Sequence, residues 1–421
     1  MKAIHSYYST KKTGIVKIFI LLILTFIITT SCDLTDPKKD KPKPEGYQED
    51  IPWPSLADSP WPMNNHDPQN TGRSKFQGPK YGILEKVISA PEPYSGLVFG
   101  KDSTIYLTSS NWYKGLLAYT IEGKLKWSCV EGGESYASPI ITKDGSVCYL
   151  GSAAVVSIKD DGSVNWIYRL SKRQTSKLFS LDPNGNIFFL DSPMHSLKAV
   201  DKNGNLVWEM YNDYFDYILN LSLGNNLAFS PDGNTIYLYG AKSALTSIDI
   251  NNKIIKWEFG KTASSQLNGS VLGVLVDSRG NIYFPYRSDD NEIYFTSISP
   301  EMKQRWKYKL NRSIDEQPTI DKNGTVYFAT DTLFAIDYNG KVRWKKFLGQ
   351  YLTSSLVCDI DGNIYVSLNQ YQLNTMSFDN NGNLRWSLTS EYQGVLNSSP
   401  ALFNSRIFLS ANNGYNFYII K

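Results

Sequence analysis

The sequence is poor in the side chains that most enzymes and metal sites use. It contains three histidines and four cysteines in 421 residues, and only His66 and His195 lie beyond residue 31. No Cys-x-x-Cys pair and no histidine cluster is present, which argues against a zinc site. Asp191 and Ser192 stand near His195, but a catalytic triad is defined by geometry and not by adjacency in sequence. We therefore expect no catalytic role for either histidine, and we expect His66 to fix the course of the chain.

An excess of positive charge is also lacking. The net charge is +3, and residues 1–31 carry four lysines and no acidic residue, so the rest of the chain has a net charge of −1. Nucleic-acid binding depends on clustered lysines and arginines that neutralise phosphates. A nucleic-acid partner is therefore not expected.

A helical period of apolar residues is missing from residue 75 onward, and a different repeat takes its place. The segments "SLKAVDKNGNLVW" (196–208) and "TLFAIDYNGKVRW" (332–344) both contain a strand-like run, an Asn-Gly turn, a second run and a tryptophan. Asn-Gly and Asp-Gly turns between β-rich runs are strong hairpin signals. Such units end at Trp127, Trp166, Trp208, Trp257, Trp306, Trp344 and Trp386, which are 38–49 residues apart. This spacing predicts the four-stranded blades of a β-propeller.

A second turn phrase alternates with the tryptophan phrase and occurs eight times, once more than the tryptophan. Gly82-Ile-Leu-Glu-Lys86 has the spacing of the tryptophan phrase with lysine in place of tryptophan. We predict that residues 82–88 form the outermost strand of the last blade, whose inner three strands lie within 398–421, because this pairing removes unpaired edges. The prediction is an all-β, eight-bladed propeller of four-stranded antiparallel blades. Seven blades is the alternative if the unit near Trp257 or Trp306 is irregular.

The first 60 residues predict export and anchoring. Four lysines precede an apolar run at 18–28, and small residues lead to Cys32 in "FIITTSCD". This order is typical of a secretory signal, and the cysteine resembles that of a bacterial lipobox, with Thr29 where leucine is usual. We expect a lipoprotein signal peptide at 1–31, a lipid on Cys32, a disordered Pro/Lys/Asp-rich tether to residue 60, and the propeller at 61–421. The alternative for the tether is that part of it, mainly from Trp53 onward, packs along the propeller. An ordinary signal peptide is the alternative, and the sequence leaves inner or outer membrane, and periplasm or cell surface, open.

The repeat resembles the docking motif Ala-x-Asp-x-x-Thr-Gly-x-x-x-Trp of the PQQ-like propellers. Residues 247–257 keep its full length, with Lys253 where glycine is usual, and "WPMNNHDPQNTGRS" (61–74) resembles the N-terminal segment of bacterial lipoprotein members. The resemblance implies that the seven tryptophans pack between blades. It also implies a choice between a scaffold of the BamB type, the outer-membrane assembly lipoprotein, and a quinoprotein dehydrogenase.

Several features speak against the dehydrogenase. In that family, PQQ lies in the central funnel with a calcium ion, a catalytic Asp, a stacking Trp and, in many members, a disulfide between adjacent cysteines. This sequence has no adjacent cysteine pair, and Asp359-x-Asp361-Gly362-Asn363 lacks the later ligands of a calcium loop. We expect no cofactor, no metal and no enzymatic activity. Cys129, Cys148 and Cys358 are expected to be buried apolar residues, with a Cys129–Cys148 disulfide left open.

The function that we expect is a monomeric, non-catalytic binding scaffold in the cell envelope. The partner is a protein or, alternatively, a glycan, and a PQQ-dependent dehydrogenase is the further alternative. Loops carry function more often than scaffold does, and connections between blades share one face with connections between the second and third strands. The candidate binding residues on this face are Tyr211, Tyr214, Phe215, Tyr217, Trp112, Tyr113 and Tyr392. The alternative is that the loop after Trp208 folds over the ring and buries its own aromatic side chains.

Overall fold

The repeat units form short β-strands throughout the part of the chain that the structure describes. The computed structural model describes residues 42–191, 194–212, 227–240, 243–261, 273–312, 314, 316–368, 371–392, 399–411 and 415–421. Residues 45–421 form one compact unit, and residues 1–44 form a second, of which only 42–44 are described. No helix among the described residues is long and apolar enough to cross a membrane.

The first four blades follow each other directly along the chain. Their strands are β2 (Val98–Phe99), β3 (Ile105–Thr108), β4 (Leu116–Tyr119), β5 (Leu125–Cys129), β6 (Ile140–Ile141), β7 (Val147–Leu150), β8 (Ala154–Ile158), β9 (Val164–Arg169), β10 (Phe179–Leu181), β11 (Ile187–Asp191), β12 (Ser196–Val200), β13 (Leu206–Tyr211), β14 (Leu227–Phe229), β15 (Thr235–Tyr239), β16 (Ser243–Asp249) and β17 (Ile254–Lys261). Neighbouring strands in each blade are antiparallel.

The last four blades include one that is completed from the N-terminal side. Their strands are β18 (Leu275–Val276), β19 (Ile282–Arg287), β20 (Ile293–Ile298), β21 (Gln304–Leu310), β22 (Thr319–Ile320), β23 (Val326–Ala329), β24 (Thr332–Ile336), β25 (Val342–Phe347), β26 (Val357–Cys358), β27 (Ile364–Leu368), β28 (Leu373–Phe378), β29 (Leu384–Ser390), β30 (Ala401–Phe403), β31 (Arg406–Ala411), β32 (Asn416–Ile420) and β1 (Leu84–Ser89). Blades 4 and 5 are further joined by a single pairing of β17 with β19.

The predicted ring closure is confirmed. Strand β1 pairs antiparallel with β32, and the sheet order of the last blade is β1-β32-β31-β30. Lys86 occupies the position of the missing tryptophan, and its Nζ donates to the carbonyl of Glu122 in blade 1 at 3.4 Å. Ile88 supplies the apolar packing there, since a Cβ on Gly123 would lie 2.5 Å from its Cδ1. The eight-bladed architecture is therefore the one present, and the seven-bladed alternative is wrong.

The alternation of strand direction gives the ring two different faces. Hairpin turns, many of them Asp-Gly or Asn-Gly, join strands 1 to 2 of every blade and strands 3 to 4 of the first seven, and they lie on what we call the turn face. The connections from strand 2 to 3 and from one blade to the next lie on the opposite side, which we call the loop face. Inner strands are buried along their whole length, whereas most residues of the outer strands are exposed or half-buried. The apolar core therefore lies between blades, near the ring axis.

The chain before β1 packs on the turn face in two legs. The outbound leg, residues 45–60, crosses blades 6, 3 and 2: Gln48 donates its backbone N–H to Lys322 O at 2.9 Å, and Trp53 Nε1 donates to Leu181 O at 3.1 Å. The return leg, residues 61–74, lies under the inner strands. Its carbonyls accept backbone N–H groups from the inner strands of six blades, at Phe99, Ile141, Phe229, Val276, Ile320 and Cys358.

The prediction of a disordered tether is wrong for residues 45–60. Trp53 is only 9% exposed, and its ring contacts Phe229 with centroids 5.6 Å apart. The composition of this leg suggested disorder because it has few aliphatic residues. The leg instead uses its polar groups to satisfy carbonyls of blade turns, as where Ser55 Oγ donates to Asp182 O at 2.5 Å. Residues 32–41 lie outside the described part of the chain.

Replacing Trp53 with alanine should destabilise the protein by about 3–5 kcal/mol, the usual cost of truncating a large buried aromatic side chain. The matched control is Trp112→Ala on the loop face, where the side chain is 63% exposed and the loss should be below about 1 kcal/mol. Chemical denaturation of the two variants measures both values. Equal losses would mean that the outbound leg does not pack as described.

Replacing Glu85 with glutamine should weaken the closure of the ring in a pH-dependent way. The Arg406 guanidinium donates to Glu85 through Nε at 2.5 Å and Nη2 at 3.0 Å, and this hydrogen bonding lowers the pKa of Glu85 below 4.5. A carboxyl group whose pKa is lower in the folded than in the unfolded state stabilises the fold at pH values above its unfolded-state pKa. This stabilisation is lost as the pH falls through its folded-state pKa. We expect Glu85→Gln to lower the free energy of unfolding by about 1–2 kcal/mol at pH 7. The difference from the wild type should become smaller below a pH of about 4.5.

The control for this measurement is Glu131→Gln. It removes the more exposed pair between Glu131 and Arg169, 3.4 Å apart, which should contribute less than about 1 kcal/mol. Thermal melts of both variants and the wild type at a series of pH values separate the two cases. A Glu85→Gln penalty that persists undiminished in acid would contradict the assignment.

Candidate functional site

The seven repeat tryptophans join neighbouring blades. Each lies on an outer strand opposite an alanine or serine of the third strand, and a small residue there leaves room for the indole. The pairs are Ala118–Trp127, Ser157–Trp166, Ala199–Trp208, Ser247–Trp257, Ser297–Trp306, Ala335–Trp344 and Ser377–Trp386. Their place between blades assigns them to the architecture and not to a ligand.

Six of the seven indoles donate a hydrogen bond out of their own blade. Trp127 Nε1, for example, donates to Asp160 O in blade 2 at 3.0 Å. Glycine 162 of the same turn has φ +88, and a Cβ there would lie 2.8 Å from the indole Cγ. The other five acceptors are the carbonyls of Ile250, Pro300, Tyr338, Asn380 and Pro79, for Trp208, Trp257, Trp306, Trp344 and Trp386 respectively.

The turn with the spacing of a calcium loop is closed by its own hydrogen bonds. Asp359 Oδ1 accepts the backbone N–H groups of Asp361 and Asn363 at 3.0 and 2.9 Å. Its Oδ2 accepts from Asn363 Nδ2, from the Tyr365 hydroxyl and from the backbone of Gly78. The burial of Tyr365 and the charge of Asp359 raise the pKa of that hydroxyl, so it remains a donor. The carboxylate therefore serves the turn.

The three cysteines in the described part of the chain are buried and unpaired. Cys129, Cys148 and Cys358 are all free, so no disulfide joins Cys129 to Cys148. Burial raises the pKa of the Cys148 thiol to about 12 and also raises that of Cys358. Because the thiolate is the reactive form, these two side chains act as small apolar residues.

The described candidate aromatic residues lie on the loop face. Trp112 and Tyr113, in the connection between strands 2 and 3 of blade 1, are 63% and 80% exposed. The Arg173 guanidinium covers the Trp112 ring at 4.4 Å and is oriented by Glu134, 2.6 Å away. Tyr211 and Tyr392 are also exposed. The candidate residues Tyr214, Phe215 and Tyr217 lie outside the described residues.

Four further exposed aromatic residues on this face were not among the predicted ones. Phe347 and Tyr351 leave the outer strand of blade 6, and Tyr371 and Tyr415 lie between strands 2 and 3 of blades 7 and 8. No residue pattern distinguishes these four in the sequence, where they stand at or near strand ends, as in "KFLGQY" and "NQYQ". Arg312 lies over the Tyr351 ring at 3.6 Å, which repeats the arginine–aromatic pairing of Trp112.

Polar and aromatic side chains also lie on the loop face where the chain enters the inner strands. Tyr94 and Tyr136 pack edge to face at 4.9 Å, and Lys177 Nζ lies 4.6 Å from the Tyr94 centroid. Burial lowers the pKa of Lys177 to about 8, against the opposing attraction of Glu316. The amine therefore carries its charge at neutral pH and loses it under mildly alkaline conditions.

The described residues do not fit a PQQ–calcium site. All ten tryptophans are described: seven pack between blades, Trp53 and Trp61 are buried in the chain on the turn face, and Trp112 is stacked with Arg173 on the loop face. None is placed at the inner-strand entry as a stacking platform. Within the described ranges, no group of three or more His, Cys, Asp or Glu side chains is arranged to hold a metal ion.

The fold is shared with several solved structures. No protein-family model and no curated protein sequence matches the chain. BamB from Moraxella catarrhalis is similar with a TM-score of 0.55 and 12% identity over 80% of this chain and 97% of that one. The quinohemoprotein alcohol dehydrogenase from Comamonas testosteroni is similar with a TM-score of 0.62 and 10% identity, over 87% of this chain and 80% of that one. A europium-containing methanol dehydrogenase has a TM-score of 0.61 and 10% identity, over 83% of this chain and 89% of that one. At such identities the likeness establishes the PQQ-like propeller fold alone.

Proposed function

We propose that the protein is a non-catalytic lipoprotein of the cell envelope whose propeller binds a protein partner through its loop face. The observation that carries this proposal is the distribution of exposed aromatic side chains. Among the described residues, ten Phe, Tyr and Trp side chains are exposed, and eight of them lie on the loop face. The other two, Phe76 and Tyr81, lie in the chain just before β1. Exposed aromatic and arginine side chains are typical anchors of protein interfaces.

The spread of these residues favours a protein over a glycan. They belong to blades 1, 3, 6, 7 and 8 and therefore extend around much of the ring. A protein interface buries roughly 800 Å² on each partner and can use such a broad surface. A glycan site needs its aromatic platforms together in one cleft, and the described aromatic residues are not grouped in that way.

The protein shares its fold with BamB, and this similarity is compatible with a scaffold role. The dehydrogenases share the fold equally well. The difference lies in the site, because this chain uses its tryptophans and its turn aspartates for architecture. A propeller supports unrelated functions, so the residues on its faces decide between the two.

The anchor that we propose joins the propeller on the turn face. The outbound leg begins at Glu45 beside blade 6, where Glu45 accepts a hydrogen bond from Asn339 at 3.0 Å. A lipid on Cys32 would be thirteen residues away, and thirteen residues span at most about 45 Å. This reach is roughly half of what a tether ending at residue 60 would allow.

Replacing Trp112, Tyr113 and Phe347 together with alanine should abolish partner capture without changing the melting temperature, because all three side chains are exposed. We expect at least a tenfold loss of co-purified partner from detergent-solubilised native membranes, measured by quantitative mass spectrometry. The matched control replaces three exposed apolar residues away from the loop face, Tyr81, Leu125 and Leu384, and should capture as the wild type does. Equal capture by both triple variants would refute the loop face as the interface. Loss of binding on a glycan array instead would assign the face to a glycan.

Replacing Cys32 with serine should release the protein from the membrane, because serine cannot be acylated as the lipobox cysteine is. Fractionation and mass spectrometry of the mature N-terminus measure the outcome. Cys148→Ser serves as the control, since that thiol is buried in the propeller. A soluble, unmodified wild-type chain would contradict the lipid anchor and leave the loop-face proposal standing.

A further inference from the structure

The two legs on the turn face enclose a cleft on the side opposite to the loop face. Its volume is about 530 Å³, within the range of small-molecule sites. Asp50 and Trp53 of the outbound leg form one wall, and Arg73 of the return leg forms part of the other. Lys143 and Lys322, from the turns of blades 2 and 6, lie at its edges. The cleft is therefore built from separate parts of the chain. Its lining carries four cationic side chains and four acidic ones, which are Arg73, Lys75, Lys143 and Lys322 and Glu49, Asp50, Asp58 and Asp67.

Arg73 reaches across this cleft from the return leg to the outbound leg. Its Nη2 lies 3.4 Å from Glu49 O and 3.5 Å from Asp50 Oδ1, both at the long limit for a hydrogen bond. Its Nη1 has no hydrogen-bond partner among the described residues, although the side chain is only 9% exposed. A buried donor without an acceptor is costly. The guanidinium of Arg73 therefore has hydrogen-bonding capacity that the described protein groups do not meet.

None of the four acidic side chains of the lining, Glu49, Asp50, Asp58 and Asp67, accepts a hydrogen bond from Arg73 Nη1. Asp67 is committed elsewhere: it accepts the backbone N–H of Thr71 at 3.0 Å and the Thr71 hydroxyl, and it lies 3.3 Å from His66 Nδ1. These contacts, with the His66 hydrogen bond foremost, offset the effect of burial and lower the pKa of Asp67. Asp50 is half exposed and touches Arg73 only at the long distance given above.

The return leg is held in an unusual backbone conformation beside the cleft. Asn65, His66 and Asn70 all have positive φ, between 52° and 77°. The Asn70 amide fixes this course by donating to Leu227 O at 2.9 Å and to Val274 O at 3.0 Å, on blades 4 and 5. Residues in sparsely populated backbone regions persist where the surroundings over-determine them, and they cluster at ligand clamps. Arg73 is therefore presented by a constrained segment.

We propose that this cleft binds a small organic anion whose carboxylate or phosphate group accepts hydrogen bonds from Arg73. The planar guanidinium fork suits both groups. Lys143 and Lys322 add positive charge at the edges, and Trp53 and Leu56 offer apolar surface to the rest of the ligand. The site is independent of the loop face and of the partner that it binds.

Isothermal titration calorimetry of the purified full-length protein tests the proposal, with citrate and inorganic phosphate as probes at constant ionic strength. We expect saturable one-to-one binding of at least one probe. Arg73→Lys, which keeps the charge but loses the fork, should bind at least tenfold more weakly. Lys143→Gln alters an exposed side chain and should bind about threefold more weakly. This variant keeps the proposal testable if Arg73→Lys fails to fold. Arg169→Gln, a cation on the loop side of blade 2, should bind as the wild type does.

The possible results distinguish a carboxylate site, a phosphate site and the absence of an anion site. Binding of citrate alone identifies a carboxylate site, and binding of phosphate alone identifies a phosphate site; either supports the proposal. No saturable binding of either probe overturns it. Affinities that are the same in wild type, Arg73→Lys and Lys143→Gln also overturn it, because the anion would then be bound elsewhere.

Discussion

The contact between an indole and the turn of the next blade is the interaction on which the ring depends. The indole N–H needs an acceptor when it is buried, and a carbonyl of the next turn provides one, as Asp160 does for Trp127. Where that turn contains a glycine, as at Gly162, its bare surface lets the indole lie against it. In the turns that accept from Trp208 and Trp257, Lys253 and Met302 take this position with positive φ. One contact therefore fixes both the distance and the angle between blades. At the ring closure, Trp386 donates to Pro79 O, so the chain before β1 enters the same arrangement.

Much of the fold could be predicted because the residues that define each repeat unit lie close together in the sequence. Alanine or serine, the turn aspartate, glycine and tryptophan lie within eleven residues, so each unit specifies its own hairpin and its own docking side chain. The closing strand was recognisable for the same reason: Gly82 and Lys86 keep the spacing even without tryptophan. The structure places that strand at Leu84–Ser89, close to the predicted 82–88.

The turn-face structure could not be predicted because its contacts join distant parts of the chain. Trp53 bonds to a carbonyl 128 residues away, and nothing local in a Pro- and Asp-rich segment indicates that partner. The cleft has the same origin, since Arg73, Lys143 and Lys322 meet only after the ring has formed. The loop-face aromatic residues are an intermediate case. Strand order predicted that Trp112 and Tyr392 lie on the loop face. Whether a side chain there is exposed depends on how its loop packs, and the sequence around Phe347 or Tyr371 does not indicate that they are exposed.

The pairing of β1 with β32 has a consequence for the order in which the protein can be made. Among the described strands, the first along the chain belongs to the last blade, and its partner β32 follows all the others. A growing chain therefore carries β1 without its partner until β32 has been synthesised. Contacts between residues so far apart are slow to form and leave edges open to wrong pairing. A chain without β31 and β32 would have seven complete blades and an unpaired β1, so closure of the ring depends on the eighth blade.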